Sequence, residues 1–155
     1  MLRDVGQANA GVVEVDGKME ISFTVSGECV AQGRPRAAVI AGHVHVYDPA
    51  KSRDYKQYVK IEAARVMQDK PLLEQPLAVA LVVALPVPKS FSKKKTAMAL
   101  RHELHPAKKP DIDNFFKSLD CLNGVVWRDD SQIVKLEIEK RYDEKPWIGV
   151  RAREV

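Results

Sequence analysis

The sequence is poor in the residues that staple or anchor small proteins. It has two cysteines, Cys29 and Cys121, which form no CxxC pair. Such usage excludes a disulfide framework and a zinc-finger type of site, and it reads as two reduced thiols in a cytoplasmic protein. The N-terminus carries Arg3 and Asp4 but no apolar h-region, which argues against a secretion signal. No hydrophobic run is long enough to cross a bilayer. The most apolar one, LAVALVVALPVP from Leu77, is about half of the roughly 20 residues needed and ends in prolines, so it reads as a buried strand. There is no internal repeat, low-complexity tract, linker or nucleotide-binding glycine loop.

What is present describes one folded unit. At 155 residues the chain can bury a core without staples, and its 45% apolar and 30% charged content is ordinary for a globular domain. A formal charge of +4 and an isoelectric point near 9.1 are compatible with a polyanionic partner without requiring one. Hydrophobic periodicity predicts a mixture of strands and helices. MEISFTVSG from Met19 alternates as a strand, and AAVIAGHVHVYD (37–48) reads as a hairpin turning at Ala41-Gly42. Asp48-Pro49 then starts a helix to about Asp69, with Asp48 as N-cap and Tyr55, Tyr58, Val59, Ala63 and Val66 as its apolar stripe. Leu77 to Val87 is a buried strand, and SFSKKKTAMALRHEL is a short helix capped by Ser90 or Ser92. SQIVKLEIEKRY and WIGVRAREV supply the last strands. The expectation is a single compact α/β domain, residues 19–155, with helices packed on a mixed sheet and a loosely ordered leader at 1–18.

The chemistry concentrates in KKPDIDNFFKSLD, residues 108–120. With Asp113 as N-cap, Asn114 to Leu122 forms a short amphipathic helix. Phe115, Phe116, Leu119 and Leu122 face the core, while Asp113, Lys117 and Asp120 share the polar side. Asp111 precedes the helix on extended chain, where residues two apart point the same way, so Asp111 and Asp113 can converge. Two adjacent carboxylates repel unless a cation lies between them, and Mg²⁺ needs few protein carboxylates while leaving room for phosphate oxygens. A turn at Asn123-Gly124 folds the chain back, which would bring Asp130 of WRDDSQIV beside the pair. Three carboxylates and Lys117 would suit metal-assisted phosphodiester hydrolysis, with Lys117 on the developing oxyanion. Each residue also has an ordinary reading: Asp113 as a cap, Lys117 as its i+4 partner, and Asp129-Asp130 as a turn.

KPDIDNFFKSLDCLNG followed by WRDDSQIV resembles the signature of the RusA family of Holliday junction resolvases, endodeoxyribonucleases often encoded by phages and prophages. GRPR (33–36), YDPAKSRDYKQYV (47–59) and SFSKKKTAMA are similar to the family's upstream segments, so the likeness covers about residues 19 to 153. It implies that Asp111, Asp113 and Asp130, the second aspartate of its pair, bind catalytic Mg²⁺, with Mn²⁺ as a substitute and Lys117 essential. It implies a compact α/β fold, and a homodimer acting on four-way junctions by paired symmetric nicks in a bacterial cytoplasm. No membrane and no small organic cofactor are implied. The chain departs once: the family usually has one more residue between the lysine and the next aspartate. Asp120 is therefore left as a polar-face or supporting residue.

DNA contacts beyond the acids are expected from Arg34 and Arg36 on a glycine-led turn, from Lys93, Lys94 and Lys95, and from Lys109. His43 and His45 read as surface residues. Two other classes compete. One is a non-catalytic DNA- or junction-binding module, in which the carboxylates are structural. The other is a metal-nucleotide sugar transferase, which the short chain and missing glycine loop disfavour.

Overall fold

The computed structural model describes residues 2, 5, 6 and 10–155. Its strands are β1 (Gly11–Val15), β2 (Lys18–Ser26), β3 (Arg36–Ile40), β4 (His43–Tyr47), β5 (Leu77–Pro86), β6 (Ile133–Asp143) and β7 (Trp147–Glu154). Its helices are α1 (Ala50–Met67), α2 (Lys93–Leu100) and α3 (Ile112–Lys117), with 3-10 turns at Ser118–Leu122 and Asp130–Gln132. Five strands form a mixed sheet in the order β1-β2-β7-β5-β6, and β3 and β4 form a separate hairpin.

The all-apolar β5 is hydrogen-bonded on both edges, antiparallel to β7 and parallel to β6, and is buried from Leu77 to Leu85. Strands apolar on both faces belong in such interior positions. One face meets α1, α3 and the following 3-10 turn: Phe23, Val79, Leu81 and Val150 share a core with Val59, Phe115, Leu119 and Trp127. On the other, Val5, Ala80 and Val82 are packed with Leu2 and Trp147. Gly149 permits this, since a Cβ there would stand 2.6 Å from Val5 Cγ1. β1, inside the stretch read as a loose leader, pairs antiparallel with β2. The Asp16-Gly17 turn between them has positive φ at both positions, as a two-residue hairpin requires.

The parallel β5–β6 pair cannot be joined by a tight turn; it needs a crossover of a dozen residues or more. That crossover contains α2, α3 and both 3-10 turns, so the whole acidic motif lies in one connection over the sheet.

Three local expectations are corrected. Asp48 does not cap α1: Pro49 occupies that position without a side-chain bond, because the Asp48 carboxylate is engaged elsewhere. Tyr58 is exposed and outside the buried stripe of Tyr55, Val59, Ala63 and Met67. The helix expected over Asn114–Leu122 is α for six residues and then tightens to 3-10, and its N-cap is Asp111, not Asp113. Tightening aligns residues three apart, so Leu119 and Leu122 both turn into the core. The hairpin turn at Ala41-Gly42 and the Ser92 cap of α2, whose Oγ accepts from Lys95 N at 3.2 Å, match expectation. No helix among the described residues is long and apolar enough to cross a membrane.

Candidate active site

The GRPR segment is drawn down against α1 and α3. Gly33 N donates to the buried Ser52 Oγ at 3.2 Å, and Gln32 N donates to the Asn114 carbonyl at 2.9 Å. A Cβ on Gly33 would meet Pro49 Cγ at 3.0 Å, so glycine lets the loop lie this close. Between this loop, α1, α3 and the turn after it lies a cavity of about 600 Å³, lined among others by Arg34, Lys56, Lys117, Asp120, Trp127 and Asp130. Of the residues expected to act, Arg34, Lys117 and Asp130 therefore line one cavity.

Asp113 reaches the same place through Lys117, whose Nζ donates to Asp113 Oδ2 at 2.8 Å across one helical turn. That bond and the ammonium charge hold the Asp113 carboxyl below its ordinary value, against the opposing effect of burial. Asp111 lies at the α3 N-cap but makes no side-chain cap bond, and its carboxylate is exposed. Neither Asp111 nor Asp113 lines the cavity.

The WRDD acids divide their work. Asp129 caps the turn Asp130–Gln132: its Oδ1 accepts from Ser131 N at 2.9 Å, and Gln132 Oε1 accepts from Asp129 N. That capping interaction lowers the Asp129 pKa, Ser131 being the main cause. Asp130 is left exposed on the cavity wall. Arg128 is turned away to pair with Glu74.

A second charged group has no counterpart in the sequence reading. Lys56 Nζ donates at 2.9 Å to both Asp48 Oδ2 and Asp120 Oδ2, tying α1, the β4–α1 loop and the 3-10 turn together. Desolvation pulls the Lys56 pKa down, but the two carboxylates outweigh it and the net shift is upward. Asp48 is correspondingly lowered, chiefly by its bond from Lys56. All three residues line the cavity. Asp120, which the sequence left without a role, is thus a partner of Lys56. Lys140 on β6 was also missed: its Nζ donates to the carbonyls of Lys108 at 2.8 Å and Pro110 at 3.1 Å, pinning the segment that leads into Asp111.

The other expected DNA contacts lie outside the cavity. Arg36, Lys93, Lys94, Lys95 and Lys109 are exposed, with Lys95 Nζ 4.8 Å from the Phe91 ring centroid and Lys109 joined to Pro110 by a cis peptide bond.

Among the described residues, no group of three or more His, Cys, Asp or Glu side chains stands close enough together to hold a metal ion. Asp111, Asp113 and Asp130 form no closed cage, since Asp113 is folded onto Lys117 and, of the three, Asp130 alone faces the cavity. The donors nevertheless fit Mg²⁺ in kind. They are exposed carboxylate oxygens, and this ion is usually held by one or two carboxylates with water and substrate phosphate completing its shell.

The sequence model of the family described as endodeoxyribonuclease RusA matches residues 26–153. An uncharacterized protein of Bacillus subtilis (strain 168), YqaN, is 45% identical over 138 residues, covering 87% of this chain and 96% of its own length.

Proposed function

Because the chain belongs to the RusA endodeoxyribonuclease family, we propose that it is a Mg²⁺-dependent, structure-selective nuclease that resolves Holliday junctions by paired symmetric nicks. The observation that carries the reading is the cavity in which Asp130, Lys117 and Arg34 meet, with Asp113 bonded to Lys117 at its edge. Carboxylates for a hard cation and cations for a phosphate are what phosphodiester hydrolysis needs in one place.

Arg34 binds a non-bridging phosphate oxygen with its planar fork and orients the strand across the cavity. Lys117 moves between two partners. Before substrate enters it neutralises Asp113; with a phosphate in place its ammonium turns to the charge developing on the phosphoryl oxygens. Asp113 is thereby freed as a ligand, and an aspartate is ionised at neutral pH without Lys117's help. Asp111, Asp113 and Asp130 would hold Mg²⁺, or Mn²⁺ in its stead, and the bound ion would supply an activated water and charge neutralisation at the scissile phosphate. The Asp48–Lys56–Asp120 bridge offsets one of two further carboxylate charges beside an anionic substrate. Arg36, Lys93 to Lys95 and Lys109 add phosphate contacts that carry no sequence information. A homodimer would present two such sites to a four-armed, two-fold substrate, acting in the cytoplasm.

The test is cleavage of end-labelled four-way junctions beside linear, flapped and forked duplexes. In Mg²⁺ the junction is nicked at symmetric positions on opposed strands, and EDTA stops the reaction. Equal cutting of all four DNAs would refute junction selectivity. Undiminished cutting in EDTA would refute the metal.

A further inference from the structure

A second groove adjoins the cavity on the far side of the Lys56–Asp120 ion pair. It is open, about 430 Å³ in volume, and contains Arg53, Gln57, Lys60, Cys121 and Asn123 besides that pair. Arg53, Gln57 and Lys60 are spaced four and three apart on α1, which places them in one stripe of its exposed face. Neither Arg53 nor Lys60 is paired with a carboxylate in the salt bridges found among the described residues, and both are exposed, although the Arg53 charge contributes to lowering the Asp48 pKa.

Asn123 is fixed by the core. The indole Nε1 of fully buried Trp127, which can only donate, gives its hydrogen to Asn123 Oδ1 at 2.7 Å. That bond settles the orientation of the amide and leaves its NH₂ as a donor at the groove. A guanidinium, an ammonium and an amide NH₂ thus meet there. The one acid in the groove, Asp120, is already bonded to Lys56. This chemistry selects an anion with several acceptor oxygens spaced along a line, as in a phosphodiester backbone.

We propose that this groove is a second DNA-strand site. It holds the backbone of the neighbouring strand where two strands diverge at a branch, while the strand to be cut lies in the adjoining cavity. The Lys56–Asp120 pair is the ridge between them. The proposal rests on the nuclease reading and adds to it a physical basis for preferring branched DNA: a linear duplex does not offer two diverging backbones to two troughs at once.

The experiment measures binding of a labelled immobile four-way junction, and of a linear duplex of equal length, in EDTA over a range of salt concentrations. Wild type is compared with Arg53→Gln/Lys60→Gln and with Lys18→Gln/Lys135→Gln, a control with the same charge change on the sheet strands. Removing two cations that each neutralise a phosphate should flatten the dependence of log K on log salt for the junction by about 2, and weaken its affinity roughly tenfold or more. The linear duplex should weaken by less than about threefold, and the control should leave both DNAs near wild type. An unchanged junction slope, or equal effects of the two double variants, would show that α1 is only a solvated basic face. Equal weakening on the two DNAs would remove the branch-specific role. If wild type neither binds nor cuts junctions, the nuclease reading itself fails, and that outcome is distinct from the others. All four substituted residues are exposed, so an unchanged thermal midpoint confirms that the variants fold.

Discussion

At the scale of residues, the site is a set of carboxylates whose charges are managed by lysines. Lys117 offsets Asp113, and Lys56 offsets Asp48 and Asp120 together. The Lys56 bridge is the more protected of the two, with its side chain 13% exposed against 58% for Lys117. Replacing it with methionine leaves two carboxylates facing each other across a cavity without their cation. Lys56→Met should therefore cost about 1–2 kcal/mol in urea unfolding at neutral pH, more than an exposed ion pair and less than a fully buried one. The pH dependence has a definite sign. The folded-state pKa of Asp48 is depressed below 3.8, so its contribution is present above that value and lost as pH falls through the depressed one. The gap between wild type and Lys56→Met should accordingly narrow below about pH 4. A gap that is constant down to pH 2 would show that Lys56 acts by packing alone.

The same residues show where sequence reading reaches its limit. Asp113 and Lys117 were legible as a pair because they sit one helical turn apart, and the helix period fixes that contact. Lys56 and Asp120 are 64 positions apart, and no local rule joins them. Asp48 was misplaced for a related reason. Asp before Pro is good capping chemistry, but a tertiary partner claimed the carboxylate first. Resemblance separates Asp130 from Asp129, and in the structure Asp129 is engaged in a capping box while Asp130 is exposed beside the cavity.

Among the elements, α3 and its 3-10 continuation carry the KSLD segment on a helix that changes pitch part-way. A 3-10 segment rises about 2.0 Å per residue against about 1.5 Å for an α-helix. The five residues Ser118–Leu122 therefore cover about 10 Å, close to the ~9 Å of six α-helical residues. Tighter winding delivers both Leu119 and Leu122 to the core. Periodicity could place the apolar face of this segment but not its pitch, which depends on where the core wants those leucines. The β3–β4 hairpin is the opposite case: turn, register and strands were legible from Ala41-Gly42 and the flanking alternation. Its exposure was not, because Val39 and Val46 look like core residues yet are 71% and 70% exposed. A two-stranded ribbon with no packed face is marginal in water. By amide hydrogen exchange, β3 and β4 should show little protection, while β5 exchanges only through global opening. Protection of the hairpin equal to that of β5 would mean that its valines are covered in solution.

At the scale of the whole molecule, the fold converts a topological necessity into a site. A parallel β5–β6 pair demands a long crossover, and the acidic motif occupies that crossover against α1 and the GRPR loop. The fold class was legible because β5 is apolar on both faces and the flanking segments alternate. The edge strand β1 was not, since its own pattern is weak and its place is set by pairing with β2. The central claim is that the carboxylates beside this cavity are catalytic, not structural. It is tested most directly by Asp113→Asn, which keeps shape and hydrogen bonding while removing the charge. Assayed on one labelled four-way junction, the variant should bind with affinity within a few-fold of wild type and lose cleavage by at least about 10³-fold in Mg²⁺, about 4 kcal/mol of barrier. Full cleavage by Asp113→Asn would contradict the account.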